Sequence, residues 1–390
     1  MLSILPPQNT SPERAKSLNR RLVLGRVHAT GEMGRAELSR ACGLTIQAVS
    51  NIIAELVEEG LIRETGRRST GRGLPATLYA INPKGAYALG VEVRPNALLA
   101  AVLDLTGRPV LTTRHALTDA RPEAVSRELQ ELRLEMEQAQ PEAVSRLLGA
   151  GVVMPGPFGT TGLSGTAADL PGWHELDARA LFAEALGMPI DLDNDANAAA
   201  MAERVKGAAQ GLDDYAYLYF GTGIGLGLVS QGRRVAGAFG NAGEIGHLRM
   251  QTKDGTAALE DVASRLSLQR RLAAHGRDAP DFDTLAGLNA QNDAVLDEWI
   301  SIAAPALAQA VHMIENLFDP ETVILGGALP EGIVDRLIAR MALPENSVSN
   351  RPGRAHPRLT RGECGRLTAT LGAAALILNR AFSPQFAALD

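Results

Sequence analysis

Between Gly34 and Glu64 the chain reads "GRAELSRACGLTIQAVSNIIAELVEEGLIRE", and few arrangements satisfy that stretch. "RAELSRAC" has the make-up of a short helix. Gly43-Leu44 reads as a turn, and Thr45 is suited to cap the helix that follows. In that second helix Val49, Ile52, Ile53 and Leu56 form one apolar stripe, while Gln47, Ser50 and Asn51 occupy the opposite face of its first turns. Two helices joined by a tight glycine turn, the second opening with small polar residues, predict a helix-turn-helix. Gln and Asn can pair with adenine edges, and Ser can bond to bases or phosphates. Gln47, Ser50 and Asn51 are therefore candidate DNA contacts.

The flanks extend this unit. Upstream, Leu18, Leu22, Val23 and Val27 keep the spacing of an amphipathic helix. Downstream, "LIRET" and "ATLYAI" predict two strands. Between them "GRRSTGRGLP" is expected to form a flexible tip bearing Arg67, Arg68 and Arg72. Such a wing grips phosphates or enters a minor groove. Residues 1–85 hold twelve Lys/Arg and seven Asp/Glu, a surplus of five positive charges, which leaves −11 for the rest of a chain whose net charge is −6. A basic head on an acidic body suits a polyanion-binding module joined to something else. A protein-binding helical domain would share the helices, but helix pair, turn, wing and charge agree on DNA.

At 390 residues the chain has room for two or three domains. Its two cysteines, Cys42 and Cys364, make neither a metal cluster nor a disulfide framework. The apolar run at the N-terminus is short and broken by prolines, and "ATLGAAALIL" is too short to span a bilayer. A cytoplasmic protein without a membrane segment is expected. From about Tyr87 the texture changes to aliphatic, glycine-rich strands alternating with helices. Two α/β lobes with a cleft between them are predicted. The expected division is 1–85 for the winged helix-turn-helix, 86–200 for the first lobe and 201–390 for the second.

Six motifs in this body lie in a fixed order: "GVVMPGPF", "LPGW" (Leu170–Trp173), "DNDANAAAMAE" (Asp193–Glu203), "FGTGIGLGLV", "GAFGNAGEIGHL" (Gly237–Leu248) and "FDPETVILGGAL". With them the chain resembles the ROK family, in which sugar-responsive repressors and sugar kinases share an actin-like, ribonuclease H-like fold. The N-terminal winged helix is similar to that of the repressor branch. The resemblance implies that Asn194, Asp195, Glu244 and His247 contact sugar hydroxyls, with Glu260 a further contact. The chemistry fits independently: carboxylates accept from two hydroxyls, Asn offers one donor and one acceptor, and imidazole can do either.

Two departures from the family pattern bear on function. The kinases carry an Asp-x-Gly-Gly-Thr turn after the first strand; here the same place reads "GVEVRPNALLA", with Glu92 near the Asp position and Arg94-Pro95-Asn96 in place of the glycines. Proline has no amide to donate, and without glycine the backbone approaches a phosphate poorly. A kinase needs that clamp, so the turn Gly221–Gly225 is expected to serve as a lobe-forming hairpin and no phosphoryl transfer is expected. The family's cysteine cluster after the His is also missing; the segment reads "HLRMQTKDGTAALEDVAS" and leaves His247 as the one evident ligand. No zinc and no cofactor are expected. The reading is a homodimeric or homotetrameric repressor of carbohydrate-utilisation genes, with operator DNA and a sugar as partners. Several carboxylates in one cleft favour a neutral sugar. A sugar kinase with an appended DNA-binding domain, and a constitutive DNA-binding protein with an inert cleft, are the competing readings.

Overall fold

The computed structural model describes residues 11–68, 75–158, 170–173, 176–253, 255–277 and 281–382. The head comprises α1 (Ser11–Thr30), β1 (Glu32–Gly34), α2 (Arg35–Cys42), α3 (Ile46–Glu58), β2 (Ile62–Arg68) and β3 (Ala76–Ile81). Gly43 ends α2 in the left-handed conformation (φ 65°), which glycine adopts without steric cost. The Thr45 hydroxyl then caps α3 by accepting the Ala48 amide at 3.2 Å. Val49, Ile52, Ile53 and Leu56 are all buried. The strands form a sheet in the order β1-β3-β2. β1 was not legible in the sequence, because a three-residue edge strand carries no periodicity.

The first lobe follows with β4 (Tyr87–Arg94), β5 (Ala97–Asp104), β6 (Pro109–Ala116), α4 (Pro122–Ala139), α5 (Pro141–Ser145), β7 (Leu147–Met154), α6 (Ala178–Leu186), β8 (Ile190–Asn194) and α7 (Asp195–Lys206). Its sheet runs β6-β5-β4-β7-β8, antiparallel across β6-β5-β4 and parallel from β4 through β7 to β8. The second lobe contains β9 (Tyr215–Phe220), β10 (Ile224–Ser230), β11 (Arg233–Arg234), β12 (Arg249–Thr252), β13 (Gly255–Ala258), α8 (Leu259–Ala263), α9 (Arg265–Ala274), α10 (Phe282–Ala290), α11 (Ala294–Phe318), β14 (Thr322–Gly327), α12 (Glu331–Arg340), β15 (Leu359–Arg361) and α13 (Thr368–Phe382). Its sheet, β11-β10-β9-β14-β15, repeats the first lobe's arrangement of antiparallel and parallel pairs. The body is thus two copies of one topology, as a two-lobed actin-like fold requires.

Small residues decide how the lobes meet. A Cβ on Gly372 of α13 would collide with the Ala198 carbonyl of α7, and one on Gly151 of β7 with the Ala373 carbonyl. The alanine- and glycine-rich runs of α7 and α13 therefore pack backbone against backbone at the lobe junction. The apolar "ATLGAAALIL" is this contact. Among the described residues α11 is long and apolar enough to cross a membrane, but its apolar face forms the core of the second lobe.

Two expected divisions fall inside packed structure. Residue 200 lies within α7, and α13, near the C-terminus, packs on β4 and β7 of the first lobe. The boundary at residue 85 is not a linker either. Val23, Leu24, Val27, Leu38 and Ile53 of the head share one core with Ala86, Ala88, Leu103 and Leu105 of the first lobe and with Ile377, Leu378, Ala381 and Phe382 of α13. The Arg146 guanidinium fastens the junction, donating to the carbonyls of Gly85 (2.9 Å) and Glu59 (3.1 Å).

Candidate functional site

The cleft site is built from two element starts that face each other. Parallel strand β8 ends at Asn194, and α7 begins at Asp195, so both side chains stand at the carboxyl end of the sheet. The Asn194 Oδ1 accepts the Asn197 amide at 2.8 Å and caps α7. This corrects the sequence reading in one respect: the Asn194 oxygen is engaged, and its Nδ2 is the group left to face the cleft. From the second lobe, Glu244 precedes a single 3-10 turn, Ile245–His247, and Glu260 lies in α8. His247 stands 3.7 Å from Glu244 Oε2 and 3.6 Å from Glu260 Oε1. The first lobe closes the ring at Gly156, where a Cβ would lie 2.8 Å from Glu244 Oε1 and 3.7 Å from Asn194 Nδ2. On Gly221 a Cβ would lie 3.2 Å from Asp195 Oδ2, and on Gly223 2.8 Å from Glu260 Oε2. The structure therefore brings all five expected cleft residues together, with the glycine turn as one wall.

Burial, and then the Glu92 carboxylate nearby, push the Asp195 carboxyl up to about 7, against the Ala196 amide that favours its charged form. Burial also raises Glu244; His247 opposes the rise and Glu260 adds to it. Glu92, only 2% exposed, anchors a network that spans both lobes. It accepts from Arg94 Nε (2.6 Å), from the Tyr219 hydroxyl of β9 (3.2 Å) and from the Thr370 hydroxyl of α13 (2.7 Å). A second link between the lobes joins Arg234 to Asp193 at 2.8 Å. Tyr219 and Thr370 stood outside the sequence motifs. Their role comes from tertiary placement, which no local pattern announces.

Zinc does not fit this site. Among the described residues no group of three or more His, Cys, Asp or Glu is placed to hold a metal ion. Where a cysteine cluster would stand, the chain forms the β12–β13 hairpin instead, and His247 faces carboxylates.

On the head, Gln47 and Asn51 are exposed near the start of α3 and bonded to each other, Gln47 Nε2 to Asn51 Oδ1 at 3.0 Å. Ser50 is half-buried. Arg67 and Arg68 are exposed, but they belong to β2, opposite Thr77 and Ala76, rather than to a flexible tip. Strand pairing continues further than the turn residues suggested, and Arg68 reaches Glu37 of α2 at 3.2 Å. Arg72 lies outside the described residues.

A winged head that shares its core with a two-lobed body holding a polar cleft defines a DNA-binding transcriptional regulator. Comparison with known proteins gives the same class. Residues 17–63 match the model of a winged helix-turn-helix DNA-binding domain, and residues 88–380 match that of the ROK family. The xylose repressor of Bacillus spizizenii is 25% identical over 81% of this chain and 83% of its own. A solved ROK family transcriptional regulator, a homologue of the Escherichia coli Mlc protein, superposes over 94% of this chain and 98% of its own with a TM-score of 0.71 at 22% identity. The ROK hexokinase from Thermus thermophilus covers 74% of this chain and 97% of its own, with a TM-score of 0.56 at 30% identity. The chain belongs to the ROK family.

Proposed function

We propose that the protein represses carbohydrate-utilisation genes, binding an operator through α3 and the wing and releasing it when a sugar closes the cleft. The carrying observation is α13. Near its start Thr370 holds Glu92 beside the cleft, and its last turns complete the core of the head. A lobe movement that disturbs Glu92 or Tyr219 therefore acts on a rigid element that also carries the DNA-binding surface. Two copies are needed to present recognition helices to a two-fold operator, which makes a homodimer or homotetramer in the cytoplasm the working form. Asn194, Asp195, Glu244, His247 and Glu260 hold the sugar. Catalysis is not part of this reading. Pro95 and Asn96 form the first turn, which offers fewer amides to a phosphate and no glycine for close approach.

One observation favours a second reading. Asp195, titrating near 7 beside the glycine turn, has the properties of a general base, so a sugar kinase is the alternative. ATP-dependent phosphorylation of a sugar panel by the purified protein decides for it.

The test of the main reading is operator binding titrated with sugar at pH 8, where Asp195 is a carboxylate. Asp195→Asn should require about ten- to a hundredfold more sugar for release, the equivalent of one charged hydrogen bond at roughly 1.5–3 kcal/mol. Release at the parent's concentration removes Asp195 from the site.

A further inference from the structure

A second cavity lies behind the cleft. Asp191 and Asp193 alternate with Asn194 along β8, so their side chains turn away from the cleft that Asn194 faces. On that side a cavity of about 220 Å³ opens between the lobes. Its lining comes from β8, α6 and α7 of the first lobe, and from the β10–β11 turn, β11 and α13 of the second. Met201 and Leu376 are buried and give it an apolar floor, while the more exposed Arg179, Arg234 and Arg380 stand towards its mouth. Both carboxylates in the lining are already held. Arg380 pairs with Asp191 at 2.5 Å, and Arg234 with Asp193 at 2.8 Å. Arg179 is held least. It stands 3.7 Å from Asp191, beyond a hydrogen bond, and donates to the Ile190 carbonyl at 2.9 Å. A guanidinium carries several N–H donors, so the Arg179 fork keeps some for an anion at the mouth. With a water's share of about 30 Å³, the cavity suits a molecule of roughly seven to ten non-hydrogen atoms. Its position on α13 matters most. Leu376, Asn379 and Arg380 line the cavity on one face of the helix, while Ile377, Leu378, Ala381 and Phe382 lie in the core of the head.

We propose that this cavity is a second effector site, separate from the sugar cleft, for a small organic anion: an apolar body on Met201 and Leu376, with a carboxylate or phosphate head on Arg179 and Arg234. The head group follows from the guanidinium forks, which take the paired oxygens of either anion. The apolar body follows from the floor, which offers carbon and no hydrogen bond to a small hydrated ion. Such a ligand touches both lobes and α13 at once, and so acts on the helix that completes the head. Its binding changes the affinity for operator with no sugar present.

The experiment uses the full chain with benzoate, its neutral counterpart benzamide, phenyl phosphate and inorganic phosphate as probes. Binding is measured by titration calorimetry, and operator affinity by fluorescence anisotropy with each probe present. Benzoate or phenyl phosphate should bind at least about tenfold tighter than benzamide and than inorganic phosphate, the loss expected for one charge-assisted hydrogen bond. Which of the two leads identifies the head group. Arg179→Ala should cancel the preference over benzamide, and Arg179→Lys, which keeps the charge, should retain part of it. Asp195→Asn, which alters the sugar cleft, should bind the anion as the parent does. The better anion should shift the parent's operator affinity by at least about fivefold and leave that of Arg179→Ala unmoved. Neither anion binding, equal binding of benzoate and benzamide, a preference that survives in Arg179→Ala, or one lost in Asp195→Asn overturns the site. Inorganic phosphate binding as tightly as phenyl phosphate overturns the apolar floor. An operator affinity that bound anion does not move overturns the coupling through α13. No readout involves a sugar, so the sugar-responsive reading stands or falls separately.

Discussion

The β4–β5 and β9–β10 hairpins occupy the same place in two lobes of identical topology, yet their sequences have gone separate ways. The first, closed by the Arg94–Ala97 pair, turns through Pro95-Asn96, and the second through Gly221-Thr222-Gly223. In the first, the space beside the strand end is filled by the protein's own charges, Glu92 and Arg94, locked to Tyr219 and Thr370. In the second, the glycines persist, but each has a neighbour that explains it. Gly221 and Gly223 make room for Asp195 and Glu260, while Gly225 and Gly227 lie against Ala196 of α7. None of the four needs a left-handed backbone. A glycine-rich turn in this fold is therefore evidence of close approach by a side chain or helix, and becomes evidence of phosphate chemistry only when both hairpins keep it.

The comparison can be broken at its strongest point by Glu92→Gln. This leaves Arg94 without its charge partner in an enclosed site, and breaking such a pair costs about 3–5 kcal/mol. Urea unfolding that shows a loss below about 1 kcal/mol would mean that the first hairpin is not held by its ion pair. Gly227→Ala probes the second hairpin. Its Cβ would run into the Ala196 carbonyl, which is backbone and cannot swing aside, so a loss of about 1–3 kcal/mol is expected in the same assay. An unchanged stability would remove the packing account of the retained glycines. A third effect, read from its pH dependence, concerns how the two hairpins jointly act on Asp195. Its folded pKa of about 7 lies above the usual carboxylate value, so the stability it confers is fully present in acid and is lost as pH rises towards 7. Asp195→Asn lacks that titration. The melting temperature of the variant should gain on the parent's from about pH 4 to pH 7 and run parallel above. Parallel curves throughout would show that Asp195 is not perturbed by Glu92 and burial.

The sequence carried most of the fold because its punctuation is local. Thr45 and Gly43 act within one helical turn of themselves, and the apolar stripe of α3 repeats at a period visible in thirteen residues. The cleft residues were legible through motifs that sit at strand and helix ends. What stayed hidden depends on partners far along the chain. Nothing near Glu92 announces Thr370, 278 residues away. The reach of β2 through Arg68 was hidden for another reason: strand pairing overrode a run of turn-forming residues.

The last helix has a consequence for how the molecule comes into being. Domains near an N-terminus ordinarily fold as they leave the ribosome, before the rest is made. Here the head is built around Ile377, Leu378, Ala381 and Phe382, and the His28 ring stacks on Phe382 with centroids 4.3 Å apart. The head is therefore made before the helix that completes its core. A nascent chain, or one cut short before α13, lacks these four side chains of the head's core.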